Sequence, residues 1–198
     1  MRPLHFVSIA AALMLACTEA PWPRVVPAPA PPDPPSGPKL APTPAQAAPS
    51  EQPQVELPED ALALLRPILT NYDKVHLALT SDTTDGVAAL GVAIAEAALA
   101  ARPLVRDDAL SALLADLENK GRMLGAGDIH AVRLTYGELS KSLVALVSAI
   151  APLREGRHVF ECPMAKGYQK WIQTEPSLRN PYFGKSMLTC GDESRWAP

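Results

Sequence analysis

Prolines divide this chain into two parts. The chain has 198 residues and 22 prolines, and 14 of these prolines lie between Pro21 and Pro58. Proline fixes φ at about −65° and removes a backbone donor, so this stretch cannot form a helix or a central strand. We expect a Pro/Ala-rich, disordered tether over residues 17–57, with partial polyproline II character. The folded domain is then expected over residues 58–198.

The first sixteen residues have the features of a secretion signal. Arg2 supplies the positive start, and a run of small and apolar residues extends from Phe6 to Ala16. This run is too short to cross a bilayer as a permanent helix. It ends at Ala16-Cys17, which is similar to a bacterial lipoprotein processing site. We expect a lipoprotein signal peptide over residues 1–16 and lipidation of Cys17. The alternative is an ordinary cleaved signal followed by an incidental cysteine.

A lipid on Cys17 would attach the chain to a membrane. The expected location is therefore the cell envelope, with the domain facing the periplasm. Thr18 follows the cysteine. Some organisms retain a lipoprotein in the inner membrane when aspartate stands at this position. Thr18 instead resembles the outer-membrane lipoproteins of those organisms. The formal net charge of −3 gives no basic surface for nucleic acid, so we expect no nucleic-acid partner.

Two stretches with helical spacing of apolar residues follow the tether. The first extends from Glu59 to Thr80 and contains Pro67, where we expect a kink or a restart of the helix. The second runs to about Ala101, and the side chains of residues 82–84 are expected to cap its start.

Two further helices are predicted before Pro152. The third follows residues 106–108 and ends among the glycines at positions 121, 125 and 127. Asp128 caps the fourth, which has the most regular apolar spacing in the chain. Because each apolar stripe needs a partner, we expect an all-α fold, an antiparallel four-helix bundle. The C-terminal segment is expected to be irregular and packed on the bundle, with a short β-hairpin formed by residues 157–161 and 168–173.

Two cysteines, each with a methionine two or three residues away, mark the C-terminal segment: Cys162 with Met164, and Cys190 with Met187. Thiolates and thioethers are soft ligands, and this set of four suits Cu(I). His158 is the best auxiliary ligand. The alternative is a Cys162–Cys190 disulfide, because lipidation of Cys17 would leave an even number of cysteines in an exported chain. His76 and His130 are expected to be exposed or locally bonded.

A family resemblance lies in the same segment. Cys-Pro-Met-Ala at 162–165, Gly-Tyr-x-x-Trp at 167–171 and Asn-Pro-Tyr-Phe-Gly-x-x-Met-Leu-x-Cys-Gly at 180–191 resemble a helical domain of bacterial envelope proteins without an assigned activity. That domain occurs alone or attached to the periplasmic adaptors of Cus-type copper and heavy-metal efflux systems. The match covers Phe160 to Gly191 and is weaker over the helices, and Lys170 and Gln173 depart from it. The resemblance implies a copper-handling context and efflux adaptors as partners.

The residues give no support for catalysis. A Gly-x-Ser-x-Gly elbow, a phosphate loop, a dinucleotide fingerprint and a His-Glu-x-x-His helix are all missing from the sequence. Cys-x-x-Cys, which is typical of thiol oxidoreductases, is also missing. We therefore expect a non-enzymatic, periplasm-facing lipoprotein that binds a soft metal ion or assists a heavy-metal efflux assembly. The alternative is an interaction or structural module whose C-terminal segment is held by a Cys162–Cys190 disulfide.

Overall fold

The computed structural model describes residues 54–196, so the expected signal peptide, Cys17 and nearly all of the expected tether lie outside the described residues. A helical region comes first, and a small sheet follows it. The elements are α1 Glu59–Thr80, α2 Val87–Ala101, α3 Asp108–Met123, α4 Ile129–Ala149, β1 His158–Glu161, β2 Lys170–Gln173 and β3 Asp192–Glu193. The protein is thus a helical domain with a C-terminal strand segment. Residues 154–196 are called the C-terminal segment below.

α1 has the bounds that the apolar spacing predicts, Glu59 to Thr80. It continues through Pro67 as one helix, so the restart that we considered at this position does not occur. Pro67 is exposed, and its carbonyl accepts a hydrogen bond from Asn71 Nδ2 at 2.9 Å. Just before α1, Val55 N donates to Ala149 O at 2.8 Å, which joins the end of the tether to the end of α4.

The predicted capping of α2 is wrong. None of the side chains at 82–84 caps this helix, which instead begins after Gly86 with a φ of 73°. A glycine adopts this left-handed conformation without steric cost. It turns the backbone so that Val87 N donates to the carbonyl oxygen of Thr84 at 3.1 Å. A backbone carbonyl therefore accepts the bond that a capping side chain would have accepted.

The predicted cap of α4 is confirmed, and α3 begins with a side-chain cap of the same kind. Asp107 accepts a hydrogen bond from Leu110 N at 2.9 Å at the start of α3, and Asp128 accepts one from Ala131 N at 2.9 Å at the start of α4. These carboxylates satisfy N–H groups that have no partner within the helix, and they lie at its positive end. The Asp107 carboxylate therefore has a structural role.

Helices that follow one another in the chain pack against each other. α2 and α3 come closest at two glycines, since a Cβ placed on Gly91 would lie 2.4 Å from Gly121 O. Only glycine fits this contact. The segment Val87–Leu104 is also long and apolar enough to cross a membrane by length and composition, a test that core helices of globular domains pass as well. α2 contributes Ile94 and Ala98 to the core.

The small sheet has the order β2-β1-β3, with both pairs antiparallel. The predicted hairpin of β1 and β2 is confirmed, with Phe160 opposite Trp171 and Val159 opposite Ile172. β3 was not predicted, because two residues are too short a stretch to give a periodic pattern. β2 contacts α4 and α1, so the sheet lies on the helical region.

Candidate functional site

The two cysteines of the C-terminal segment lie together. Cys162 directly follows β1, and Cys190 stands two residues before β3. Their Sγ atoms are 2.9 Å apart, although the residues are 28 positions apart in the chain. Cys162 is fully buried, whereas Cys190 is partly exposed. The structure therefore brings two of the four predicted ligands into direct contact.

Gly191 allows the last loop to reach the end of β1. It has a φ of 129°, and a Cβ at this position would lie 2.6 Å from Glu161 O and 3.3 Å from the ring of Trp171. A side chain would therefore collide with the backbone next to Cys162. The glycine that follows Cys190 in the sequence motif is needed for the approach of the two sulfur atoms.

Asn180 organises the turn that leads to Cys190. Its side chain donates to Cys190 O at 2.7 Å and accepts hydrogen bonds from Tyr182 N at 2.8 Å and from Phe183 N at 3.3 Å. Its backbone N donates to Leu188 O at 2.7 Å. Asn180 is fully buried, and a buried amide must be bonded in this way to be stable. This residue fixes the loop carbonyls around the cysteine pair.

Arg133 of α4 joins the C-terminal segment to the helices. Its guanidinium donates to Pro181 O at 2.9 Å and to Leu79 O at 3.1 Å. It also pairs with Asp82 at 2.6 Å, which lowers the pKa of that carboxyl. Gly184 lies against this pair with a φ of 55°, and a Cβ there would overlap Asp82 Oδ1. The glycine of the Asn-Pro-Tyr-Phe-Gly motif thus leaves room for an ion pair.

A series of aromatic rings connects α1 to the sheet. Tyr72 and Tyr136 stack with centroids 4.9 Å apart, and Tyr182 meets Tyr136 edge-on at 5.9 Å. Trp171 follows at 5.7 Å from Tyr182 and 5.9 Å from Phe160. Burial raises the pKa of Tyr72, Tyr136 and Tyr182 above the ordinary range, so these phenols stay neutral. These rings belong to the same hydrophobic core as Cys162.

The two methionines occupy different surroundings from the cysteines. Met164 is 58% exposed and lines a surface groove whose lining includes neither cysteine nor Met187. Met187 is half-buried, and its carbonyl accepts a hydrogen bond from Cys190 N at 3.1 Å. A site with four sulfur ligands would therefore require Met164 to turn from the groove toward the cysteine pair.

The histidines have separate roles. His158 Nδ1 lies 3.0 Å from Glu193 Oε1, so the carboxylate of the neighbouring strand holds this ring. His130 is exposed, as expected. The expectation for His76 is wrong, because this residue is buried and its Nε2 bonds to Arg179 O at 2.7 Å, far away in the sequence. Burial lowers the pKa of His76 to about 4.

His76, Arg133 and Asn180 were not identified as site residues from the sequence, although the spacing of the first two indicated burial. His76 stands four positions after Tyr72 and three before Leu79, a spacing that places it on the buried side of α1. Arg133 likewise follows Val132 on the buried side of α4. The hydrogen bonds of Asn180 carried no such signal, because they depend on where the loop folds.

The electrostatics of the cysteine pair do not favour a reactive thiolate. The hydrogen bond with Cys162, together with partial burial, raises the pKa of the Cys190 thiol above its ordinary value. A thiol with a raised pKa has a smaller thiolate fraction at neutral pH and attacks disulfides more slowly. Two adjacent thiols can still be oxidised to a disulfide, or release their protons to solvent and bind a soft metal ion as thiolates.

Within the part of the chain that the structure describes, no three side chains among histidine, cysteine, aspartate and glutamate cluster so as to hold a metal ion. The sulfur atoms of methionine are the further donors that the sequence offers. Comparison of the chain with protein-family models, with curated proteins and with solved structures finds no match.

Proposed function

We propose that the chain is a periplasm-facing lipoprotein that acts as a non-catalytic interaction or structural module, with its C-terminal segment held by a Cys162–Cys190 disulfide. The observation that carries this proposal is the 2.9 Å separation of the two Sγ atoms. In an oxidising compartment the two thiols would give up two protons and two electrons to an exchanging disulfide. The bond would close a loop of 28 residues, a length at which stabilisation is about 3 to 4 kcal/mol.

The surroundings of the cysteine pair support a structural role. Asn180, Gly184 and Gly191 each maintain the backbone of the C-terminal segment rather than exposing a reactive group. Arg133 is buried and bonded to two carbonyls and a carboxylate. The raised pKa of the Cys190 thiol also disfavours a role as a catalytic nucleophile.

The stability of the oxidised and reduced chain tests this proposal. We expect the reductant to lower the free energy of unfolding of the full chain by about 3 kcal/mol, because loop closure no longer restricts the unfolded state. The Cys162→Ser/Cys190→Ser variant should not respond to the reductant, and Met123→Leu, a change at an exposed position of α3, should respond like the wild type. Equal stability of the oxidised and reduced wild type would contradict the proposal.

Soft-metal binding by the reduced thiols is the second candidate. It is favoured by the contact between Cys162 and the partly exposed Cys190, and by Met187, which is bonded through its backbone to Cys190. Met164 would complete the set, and His158 would be auxiliary after release from Glu193. Cu(I) suits such ligands. The resemblance to domains on Cus-type efflux adaptors makes those adaptors the corresponding partners.

Titration of the reduced full chain with Cu(I) separates the two candidates. Stoichiometric binding that is lost in Cys162→Ser and weakened in Met187→Ala would support the metal site. Met123→Ala is the matched control, because Met123 is 63% exposed on α3 and lies outside the C-terminal segment. If the reduced chain binds no Cu(I), or if Met187→Ala and Met123→Ala bind equally well, the four-sulfur site is excluded.

The membrane anchor belongs to the same proposal. A diacylglycerol thioether and an amide-linked chain on Cys17 would bury enough methylene groups for stable attachment. The expected location is the outer membrane. Cys17→Ala should move the chain from the membrane fraction to the soluble fraction of the envelope, and Thr18→Asp tests the outer-membrane assignment. An unchanged membrane fraction for Cys17→Ala would contradict lipid anchoring.

We also propose that α1–α4 form an antiparallel four-helix bundle. Consecutive helices contact one another, and Tyr72 meets Ser140 through a 2.7 Å hydrogen bond between α1 and α4. A double-mutant cycle with Tyr72→Phe and Ser140→Ala should give a coupling of about 1 kcal/mol. Additive effects of the two changes would argue against this contact.

A further inference from the structure

A groove of about 470 Å³ lies between the first half of α4 and the C-terminal segment. Its apolar wall includes Leu134 of α4 and Met164 and Phe183 of the C-terminal segment. Leu134 is 51% exposed and Met164 is 58% exposed, so two large apolar side chains are left uncovered in one concavity. The volume falls within the range of about 300 to 1,000 Å³ that is typical of small-ligand sites.

Arg133 and Lys166 make the polar side of the groove cationic. His130 also lines it, and none of its lining residues is aspartate or glutamate. Arg133 is already neutralised by Asp82. Lys166 is exposed, and over residues 54–196 no carboxylate lies within salt-bridge distance of its ammonium group. An unpaired cation therefore stands beside an apolar wall.

The groove is preformed by contacts that do not involve a ligand. Tyr182 donates its hydroxyl hydrogen to Lys170 O at 2.7 Å, and Arg133 Nε donates to Pro181 O at 2.9 Å. The first bond holds the wall formed by the C-terminal segment, and the second joins that wall to α4 before binding, which lowers the entropy cost of binding. The flexible, polarisable side chain of Met164 can adapt to ligands of different shape.

We propose that this groove binds an amphiphilic organic anion, a small molecule with one carboxylate on an apolar body. The carboxylate meets the ammonium group of Lys166 at the rim of the groove. The apolar body lies on Leu134, Met164 and Phe183. This binding function is separate from the state of the cysteine pair.

The test uses the full chain and two probes with the same apolar body, decanoate and decylamine, at concentrations below those at which they form micelles. Displacement of 1-anilinonaphthalene-8-sulfonate by each probe reports its affinity. We expect decanoate to bind at one site per chain and decylamine to bind at least about tenfold more weakly, because the rim is cationic. Equal affinities for the two probes, or the lack of saturable decanoate binding, would overturn the proposal.

Matched variants locate the site. Lys166→Glu should weaken decanoate binding by about threefold to tenfold, whereas Lys141→Glu, the same change at an exposed position of α4 outside the groove, should not. Leu134→Asn should weaken binding by about tenfold, whereas Leu99→Asn on α2 should leave it unchanged. All four positions are exposed, so folding is preserved. Equal binding by Lys166→Glu and Lys141→Glu would place the anion elsewhere and exclude this groove.

Discussion

The helical region and the C-terminal segment are stabilised in different ways. α1 to α4 bury apolar side chains that recur every three or four residues, so the hydrophobic effect supplies most of their stability. The C-terminal segment has short strands and long loops. Its strands add apolar side chains to the same core, but its loops are held by individual contacts, such as those of Asn180 and Arg133 and the cysteine pair. A single substitution should therefore weaken the helical region as a whole, whereas in the C-terminal segment it should release a local part.

The largest effect is expected at the contact between α2 and α3. Gly91→Ala places a methyl group 2.4 Å from Gly121 O and 2.8 Å from Leu124 Cβ, so the helices must separate. We expect the free energy of unfolding to fall by about 3 kcal/mol, measured by urea denaturation. Ala89→Ser at an exposed position of the same helix should change it by less than about 0.5 kcal/mol. If Gly91→Ala is as stable as Ala89→Ser, α2 and α3 do not come as close at Gly91 as the structure indicates.

Arg133→Lys should release the C-terminal segment from the helices. A lysine keeps the charge but cannot bond to Pro181 O, Leu79 O and Asp82 at once. We expect a loss of about 2 to 3 kcal/mol, together with faster proteolysis within residues 154–196 and little change in the helical region. If both regions of this variant are equally resistant to proteolysis, the helical region and the C-terminal segment are not stabilised in different ways.

The helical region shows what the sequence could and could not predict. The bounds of α1 and the cap Asp128 could be predicted, because apolar spacing and capping depend on nearby residues. The glycine contact of Gly91 was not readable, since it depends on how α2 meets α3. The prediction for the start of α2 was also wrong, because this helix begins with the left-handed backbone conformation of Gly86 and not with a capping side chain.

The candidate site was only partly readable for the same reason. The spacing of Cys162 and Cys190 allowed either a disulfide or metal ligands, and the structure places the sulfur atoms together. It leaves Met164 on a surface groove. Asn180 gave no signal of its own as a site residue, because its partners are backbone atoms of a loop whose path is set by the fold.

Acid should weaken the connection between α1 and the C-terminal segment at His76. Burial lowers the pKa of His76 to about 4, whereas an unfolded histidine titrates near its ordinary value of 6.5. The unfolded state therefore binds the extra proton between these values, and stability falls as the pH decreases through this window. The loss should be about 2 kcal/mol between pH 7 and pH 5.

Denaturation of wild type and His76→Gln across this pH range measures the effect. Glutamine does not titrate, so the variant should lose less stability than the wild type between pH 7 and pH 5. Asp82 affects stability only at lower pH. Its pKa is lowered in the folded state, so the stability that its carboxylate contributes is present at neutral pH and is lost only as the pH falls below about 3.8. Identical profiles for the two proteins would show that His76 is not buried as described.

A smaller effect is expected for the ion pair between Arg157 and Asp73, which joins the start of the C-terminal segment to α1 at 3.0 Å. Both side chains are mostly buried, and desolvation raises the pKa of Asp73 despite the nearby guanidinium. Arg157→Gln should cost about 1 kcal/mol. Arg66→Gln, which removes an exposed ion pair with Glu59 on the same helix, should cost less. Equal costs would mean that burial does not strengthen this connection.

The most direct test of the account is the covalent state of the two cysteines in the full chain isolated from an oxidising compartment. Peptide mapping by mass spectrometry without a reductant should find Cys162 and Cys190 in one cross-linked pair of peptides, lighter by two hydrogen atoms than the sum of the separate peptides. After reduction the pair should separate, and the C-terminal segment should become more sensitive to proteolysis than the helical region. Free thiols at both positions in the isolated chain, with unchanged proteolysis after reduction, would contradict the account.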